Sequence, residues 1–153
     1  MEPLRLHRMV SSKILNERID ELLKSVDLPA MVKDRYAHEL SGGQRQRVMI
    51  ARALSLEPAL LVADEALSAL DLSIQASVMR LFVRLREELG LSILLISHDL
   101  EVLACVADRI AVMENGRLVE IAETSALLAN PQHPTTRRLV AAGMVNSGAE
   151  QGE

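Results

Sequence analysis

Leu15, Ile19, Leu22, Leu23 and Val26 recur at i, i+4, i+7, i+8 and i+11, which is one face of an α-helix, and Pro29 bars its continuation. The spacing predicts a helix over residues 13–26. A polar stretch containing Tyr36, His38 and Glu39 follows, and Ser41-Gly42-Gly43 then opens a second apolar-rich helix from Gln44 to Leu56, ahead of Pro58. Leu60 to Ala63 is a short apolar run that ends on Asp64 and Glu65, the pattern of a buried parallel strand with acids at its C-terminal end. Ile74, Val78, Leu81, Phe82, Leu85 and Leu89 return to helical spacing, with Asp71 or Ser73 as N-cap and Gly90 as left-handed C-cap. Ser92 to Ser97 repeats the buried-strand pattern and ends at His98-Asp99, where Asp99 is placed to cap a helix through Val106. Arg109–Met113 and Arg117–Ile121 flank Asn115-Gly116, the dipeptide best suited to a type I′ hairpin. Thr124 is expected to cap a short helix to Ala129, residues 130–134 read as a loop, and a last helix covers about 135–142 before a flexible tail, 143–153. Strands alternating with helices and closing on a hairpin define an α/β fold, mostly a parallel sheet with flanking helices.

Composition narrows the functions such a fold serves. At 153 residues the chain suits one compact domain. Its 17 Lys and Arg against 21 Asp and Glu give a net charge of −4, opposite to what binding to a phosphate backbone favours, so nucleic acid is not an expected partner. Tyr36 and Phe82 are the only aromatic residues, which leaves almost no material for base-stacking platforms. A lone cysteine, Cys105, forms no internal disulfide and fits a reducing compartment. Asp64, Arg84, Asp99 and Asp108 interrupt each apolar run well before the ~18 residues that span a bilayer, and the first residues lack the pattern of a secretory signal.

Four places carry chemistry. At Leu40-Ser41-Gly42-Gly43-Gln44 a hydroxyl, two glycine amides and a helix start converge, and backbone N–H groups with the helix dipole suit an anion such as a phosphate. Asp64-Glu65 supplies two carboxylates, one suited to hold Mg²⁺ through its waters and the next to polarise an attacking water. His98 closes the second strand, where an imidazole reaches a phosphate and that water together. Asp71 follows Ser68-Ala69-Leu70. Each has an ordinary reading as well: helix caps at Ser41 and Asp71, a solvated strand end, a histidine without a task.

Order and spacing separate the two sets of readings. Ser-Gly-Gly-Gln, an apolar run ending in Asp-Glu 20 residues later, Ser-Ala-Leu-Asp, and a histidine 33 residues beyond Glu65 must otherwise coincide independently. Over about residues 3–142 the sequence resembles the C-terminal half of the nucleotide-binding subunit of an ATP-binding-cassette (ABC) transporter, a truncated P-loop NTPase-like domain. By that resemblance Ser41, Gly42, Gly43 and Gln44 match the signature motif, which contacts the γ-phosphate of ATP held by the opposite subunit of a head-to-tail dimer. Asp64 matches the Walker B aspartate that places Mg²⁺, and Glu65 the catalytic glutamate that activates water. Asp71 matches the D-loop aspartate at the dimer interface, and His98 the switch histidine at the γ-phosphate. The resemblance implies phosphoryl transfer to water with ATP and Mg²⁺, a second ABC cassette and transmembrane permease subunits as partners, and a peripheral position on the cytoplasmic face of the cell membrane.

Two departures qualify that picture. Ala66-Leu67 stands where the family usually has Pro-Thr, and no GxxxxGK[ST] occurs in these residues, so no lysine-bearing cradle for the β- and γ-phosphates is present. The adenine-stacking aromatic and the glutamine loop upstream of the signature are missing too. The expectation is therefore a fragment or half-cassette that alone neither binds ATP tightly nor hydrolyses it. Its segments would be 1–58, part of the helical subdomain with the signature; 59–122, the α/β part; 123–142, helical; and 143–153, the tail. Asn130 to Arg137, Ser73-Ile74-Gln75-Ala76 and Pro3 to His7 resemble dipeptide, oligopeptide and nickel importers, with Thr135 where tyrosine is common. The rival readings are a DNA-repair type ABC ATPase, disfavoured by the acidic balance, and a non-catalytic half-cassette that lends Ser41–Gln44 to a partner's ATP.

Overall fold

The structure, a computed structural model, describes residues 12–67 and 70–149. Ser68, Ala69 and the Pro3–His7 segment lie outside the described residues. The chain forms two compact units, Met1–Ile96 and Ser97–Glu153.

The first unit opens with helix α1 (Ser12–Ser25), followed by two short 3₁₀ turns, Ala30–Asp34 and Ala37–Glu39. Helix α2 (Gly42–Leu54), strand β1 (Leu60–Asp64), helix α3 (Leu72–Leu89) and strand β2 (Ser92–Ile96) complete it. Of the stripe read from the sequence, Ile19, Leu22, Leu23 and Val26 are buried and Leu15 is half-buried; Val78, Leu81, Phe82 and Leu85 of α3 are buried too. Gly90 closes α3 with φ 62°, the left-handed C-cap. Helix α1 closes differently. Leu28 N–H donates to the Leu23 carbonyl (2.9 Å) and Asp27 N–H to that of Lys24 (3.1 Å), the paired bonds of a Schellman motif, with Asp27 at φ 55° where glycine usually stands.

β1 and β2 pair in parallel, Leu60 opposite Ser92 through Asp64 opposite Ile96. Full burial of these strands is not what the structure shows. Leu61 and Ala63 are buried, but Leu60, Val62, Leu94 and Ile96 on the other face are between 44% and 54% exposed. An apolar run contributes residues to both faces of a sheet because side chains alternate, and among the described residues only one of those faces is covered.

The second unit holds α4 (Leu100–Val106), β3 (Arg109–Glu114), β4 (Arg117–Glu123), α5 (Thr124–Ala129) and α6 (Pro134–Ala149). β3 and β4 are antiparallel, and Asn115 (φ 50°) with Gly116 (φ 73°) makes the expected tight turn. Asn115→Ala, which forces a less tolerant residue into the left-handed region, is expected to lose about 1 kcal/mol of stability on urea denaturation. Ile110, Val112, Leu127 and Val140 form the core of this unit. Two expectations change here. Thr124 does not cap α5: Glu123 holds that place, and the Thr124 hydroxyl instead donates to the Ala107 carbonyl (2.6 Å), tying the helix start back to the entry of β3. The last helix does not stop at 142 but runs to Ala149, because Gly143 weakens a helix by about 1 kcal/mol without ending it, and no proline follows.

Candidate functional site

Ser41 is the N-cap of α2 and makes a reciprocal capping box. Gln44 N–H donates to Ser41 Oγ (3.2 Å), and Ser41 N–H donates to Gln44 Oε1 (3.1 Å). The cap reading of Ser41 is therefore correct as far as it goes. Neither glycine has a positive φ, so their value is not conformational freedom. A Cβ on Gly43 would stand 2.7 Å from Ile74 Cγ2, and one on Gly42 would stand 3.5 Å from Leu70 Cδ2. Gly43 is buried, and its missing side chain lets the start of α2 lie directly against the start of α3. An open depression of about 390 Å³ lies there, lined among others by Ser41, Gln44, Arg47 and Ser73.

Asp71 is the N-cap of α3. Its carboxylate accepts Ser73 Oγ–H (2.7 Å) and Ile74 N–H (3.0 Å), and those bonds hold its pKa below the ordinary carboxylate value. The turn before it is braced from α3, where Gln75 Nε2 donates to the carbonyls of Leu67 and Leu70, both at 3.1 Å. Leu67 is buried, which gives the Ala66-Leu67 departure a structural role in the core.

Asp64 ends β1 opposite Ile96, and Glu65 follows it into the left-handed region at φ 47°. Glu65 N–H donates to the Ile96 carbonyl (3.0 Å), so the strand pairing itself holds this backbone in a conformation that costs on the order of 1 kcal/mol. Both acids are exposed. Among the described residues no group of three or more His, Cys, Asp or Glu is spaced to hold a metal ion. An ion that keeps most of its waters and takes phosphate oxygens needs only one or two carboxylates, so a single acid at the strand end such as Asp64 is chemically sufficient.

His98 lies in the second unit, exposed, just before α4. The next residue behaves as expected: Asp99 Oδ1 accepts N–H groups of Glu101 (2.9 Å) and Val102 (3.2 Å) and caps α4. The 130–137 segment is tied to the hairpin. Glu120 on β4 accepts N–H of Gln132 (2.9 Å) and His133 (2.8 Å), and these bonds, with the Thr136 hydroxyl nearby, lower its pKa. Thr136 itself is fully buried, its Oγ1 outside hydrogen-bond geometry with any neighbour.

Residues that motif spacing did not single out join the signature segment to the rest of its unit. Arg47, on α2, donates through Nη1 to the Val26 carbonyl (2.7 Å) and Asp27 Oδ2 (2.8 Å), and through Nη2 to Ser77 Oγ (2.8 Å). Arg84, on α3, donates to Asp27 Oδ1 (2.8 Å) and the Ser25 carbonyl (3.0 Å). The Arg84 hydrogen bond is the largest effect on Asp27; burial opposes it, and the Arg47 hydrogen bond with the charges of both guanidiniums leaves the pKa below its ordinary value. A depressed carboxylate contributes stability that is fully present above its unfolded pKa and lost as pH falls through its folded one. The urea midpoint of the wild type is thus expected to fall more than that of Asp27→Asn between pH 7 and pH 3.

The comparisons with known proteins agree with this layout. The ABC transporter family model matches residues 3–68. A Brucella ovis protein, named as a peptide import ATP-binding protein, is 51% identical over 142 residues, 93% of this chain and 45% of its own length. The oligopeptide transport ATP-binding protein AppF of Bacillus subtilis is 48% identical over 139 residues, 91% of this chain and 42% of its own length. The chain thus spans less than half the length of these relatives. Among solved structures, an ATP-binding cassette of an ABC transporter in its ADP conformation superposes with a TM-score of 0.72 at 26% identity, covering 86% of this chain and 52% of that one. A Clostridium perfringens subunit of the cbiONQ ABC transporter complex gives 0.75 at 28% identity, covering 94% of this chain and 57% of that one. The fold is that of an ABC-type P-loop NTPase domain, α/β in class. Over most of its own length the chain is similar to the ATP-binding proteins of ABC transporters.

Proposed function

We propose that this chain carries the signature, Walker B, D-loop and switch segments of the ATP-binding component of an importer, which couples ATP hydrolysis to solute uptake. The observation that carries the reading is Glu65: a carboxylate placed directly after an acid-terminated strand, on a left-handed backbone held by the neighbouring strand. Strained backbone of this kind collects at reacting centres, because the surrounding structure must over-determine it.

In this reading Glu65 orients and polarises the attacking water, His98 donates a hydrogen bond toward the γ-phosphate, and Asp64 holds Mg²⁺ through its waters. Mg²⁺ neutralises charge on the phosphate oxygens when bound. Ser41 and the first-turn amides of α2 face a γ-phosphate held on the opposite cassette, and Asp71 stands at that interface. The cradle for the β- and γ-phosphates comes from outside these 153 residues, since no GxxxxGK[ST] lies within them. A head-to-tail partner cassette and membrane permease subunits complete the assembly on the cytoplasmic membrane face. No helix among the described residues is long and apolar enough to cross a membrane. Relatives named for peptide, oligopeptide and glutathione import point to a peptide-like solute, with nickel as the other importer type the sequence resembles.

Association in light scattering tests the assignment. The chain should bind a complete ABC cassette of the oligopeptide type only when MgATP is present, and Ser41→Arg should abolish that binding. Association indifferent to nucleotide, or salt-sensitive association with DNA instead, contradicts it.

A further inference from the structure

Asp27, Arg47 and Arg84 form an ion cluster that joins the end of α1 to α2 and α3. Asp27 occupies the left-handed C′ position of α1, a place glycine fills without strain. An aspartate there is costly unless its carboxylate has a task, and its two oxygens are shared between Arg47 of α2 and Arg84 of α3. Arg47 goes further. Its two nitrogens reach the end of α1 on one side and Ser77 of α3 on the other, and its side chain is only 14% exposed. One turn N-terminal to Arg47 lies Gly43, in contact range of Ile74, one turn N-terminal to Ser77. The two helix starts that bear Ser41 and Asp71 are therefore clamped at two levels, by close packing at the caps and by the cluster one turn below.

We propose that Asp27 and Arg47 are positioning residues that make the signature segment, 41–44, and the D-loop end at Asp71 one rigid body, so that both present themselves to a partner cassette together. The proposal rests on the reading of those two segments given above, yet the clamp is measurable without nucleotide, so the two ideas fail separately.

Asp27→Gly is the decisive variant, because glycine relieves the left-handed strain and keeps the Schellman turn while removing the carboxylate. Ser77→Ala, which removes only the α3 arm of Arg47, guards against a folding defect in the first. Backbone ¹⁵N relaxation on the full chain gives the readout. Order parameters at Gly43, Gln44, Ser73 and Ile74 are expected to fall together, from the rigid value of about 0.85 toward about 0.6, in both variants, while those inside α1 stay unchanged. Values unchanged at these four residues, or a fall confined to one of the two segments, overturn the proposal. A purely structural role for Asp27 predicts that outcome, with Asp27→Gly as stable as the wild type or more so.

Discussion

In the assembled ATPase, Glu65→Gln is expected to cut turnover by roughly 10²- to 10⁴-fold, the contribution of a positioned general base. ATP affinity and fold should survive. Glutamine keeps the shape of the side chain, and the Glu65 N–H bond to the Ile96 carbonyl belongs to the backbone. Thermal unfolding of the variant should therefore match the wild type within about 0.5 kcal/mol. Single-turnover kinetics make the split visible, with binding intact and the chemical step lost. Unchanged turnover removes Glu65 from the mechanism.

The second large effect belongs to Gly43. Gly43→Ala places a methyl group at 2.7 Å from Ile74 Cγ2, and a β-branched methyl rooted on a helix has little room to give. The expected loss is about 1–3 kcal/mol, as for overpacking elsewhere, only partly offset by alanine's better helix propensity. Adding Ile74→Ala should restore most of it, whereas adding Ile74→Val, which keeps a methyl group at the same place, should not. A double-mutant cycle by urea denaturation checks this, and full additivity would show that the contact is not what requires glycine. The same displacement should weaken nucleotide-dependent association with a partner cassette.

The helices and the hairpin were legible because their signals are local. The α1 stripe at Ile19, Leu22, Leu23 and Val26, the left-handed Gly90 and the Asn115-Gly116 turn each follow from a few adjacent residues. The placement of Asp64 and Glu65 at the end of an apolar run was equally readable. Conformation at Glu65 was not, since nothing in an acidic residue announces φ 47°, and its N–H meets the Ile96 carbonyl only once β2 is in place. Gly43 looked like an open amide and proved to be a close contact, a distinction that needs Ile74, 31 residues on, to be in place. The Asp27 cluster joins partners 20 and 57 residues apart, beyond any periodicity. The open face of β1 and β2 escaped for the opposite reason, because an apolar run has the same appearance whether one face or both are covered.

The most direct test asks whether the acids at the end of β1 lie beside the ion that accompanies ATP in the assembled ATPase. Mn²⁺ with ATP, titrated into the assembled ATPase with this chain ¹⁵N-labelled, broadens the NMR signals of groups near the bound ion. The Asp64 and Glu65 amides are expected to broaden together at one Mn²⁺ concentration, and Asp64→Asn is expected to abolish the effect. Sharp Asp64 and Glu65 signals, or broadening that survives Asp64→Asn, would contradict the assignment.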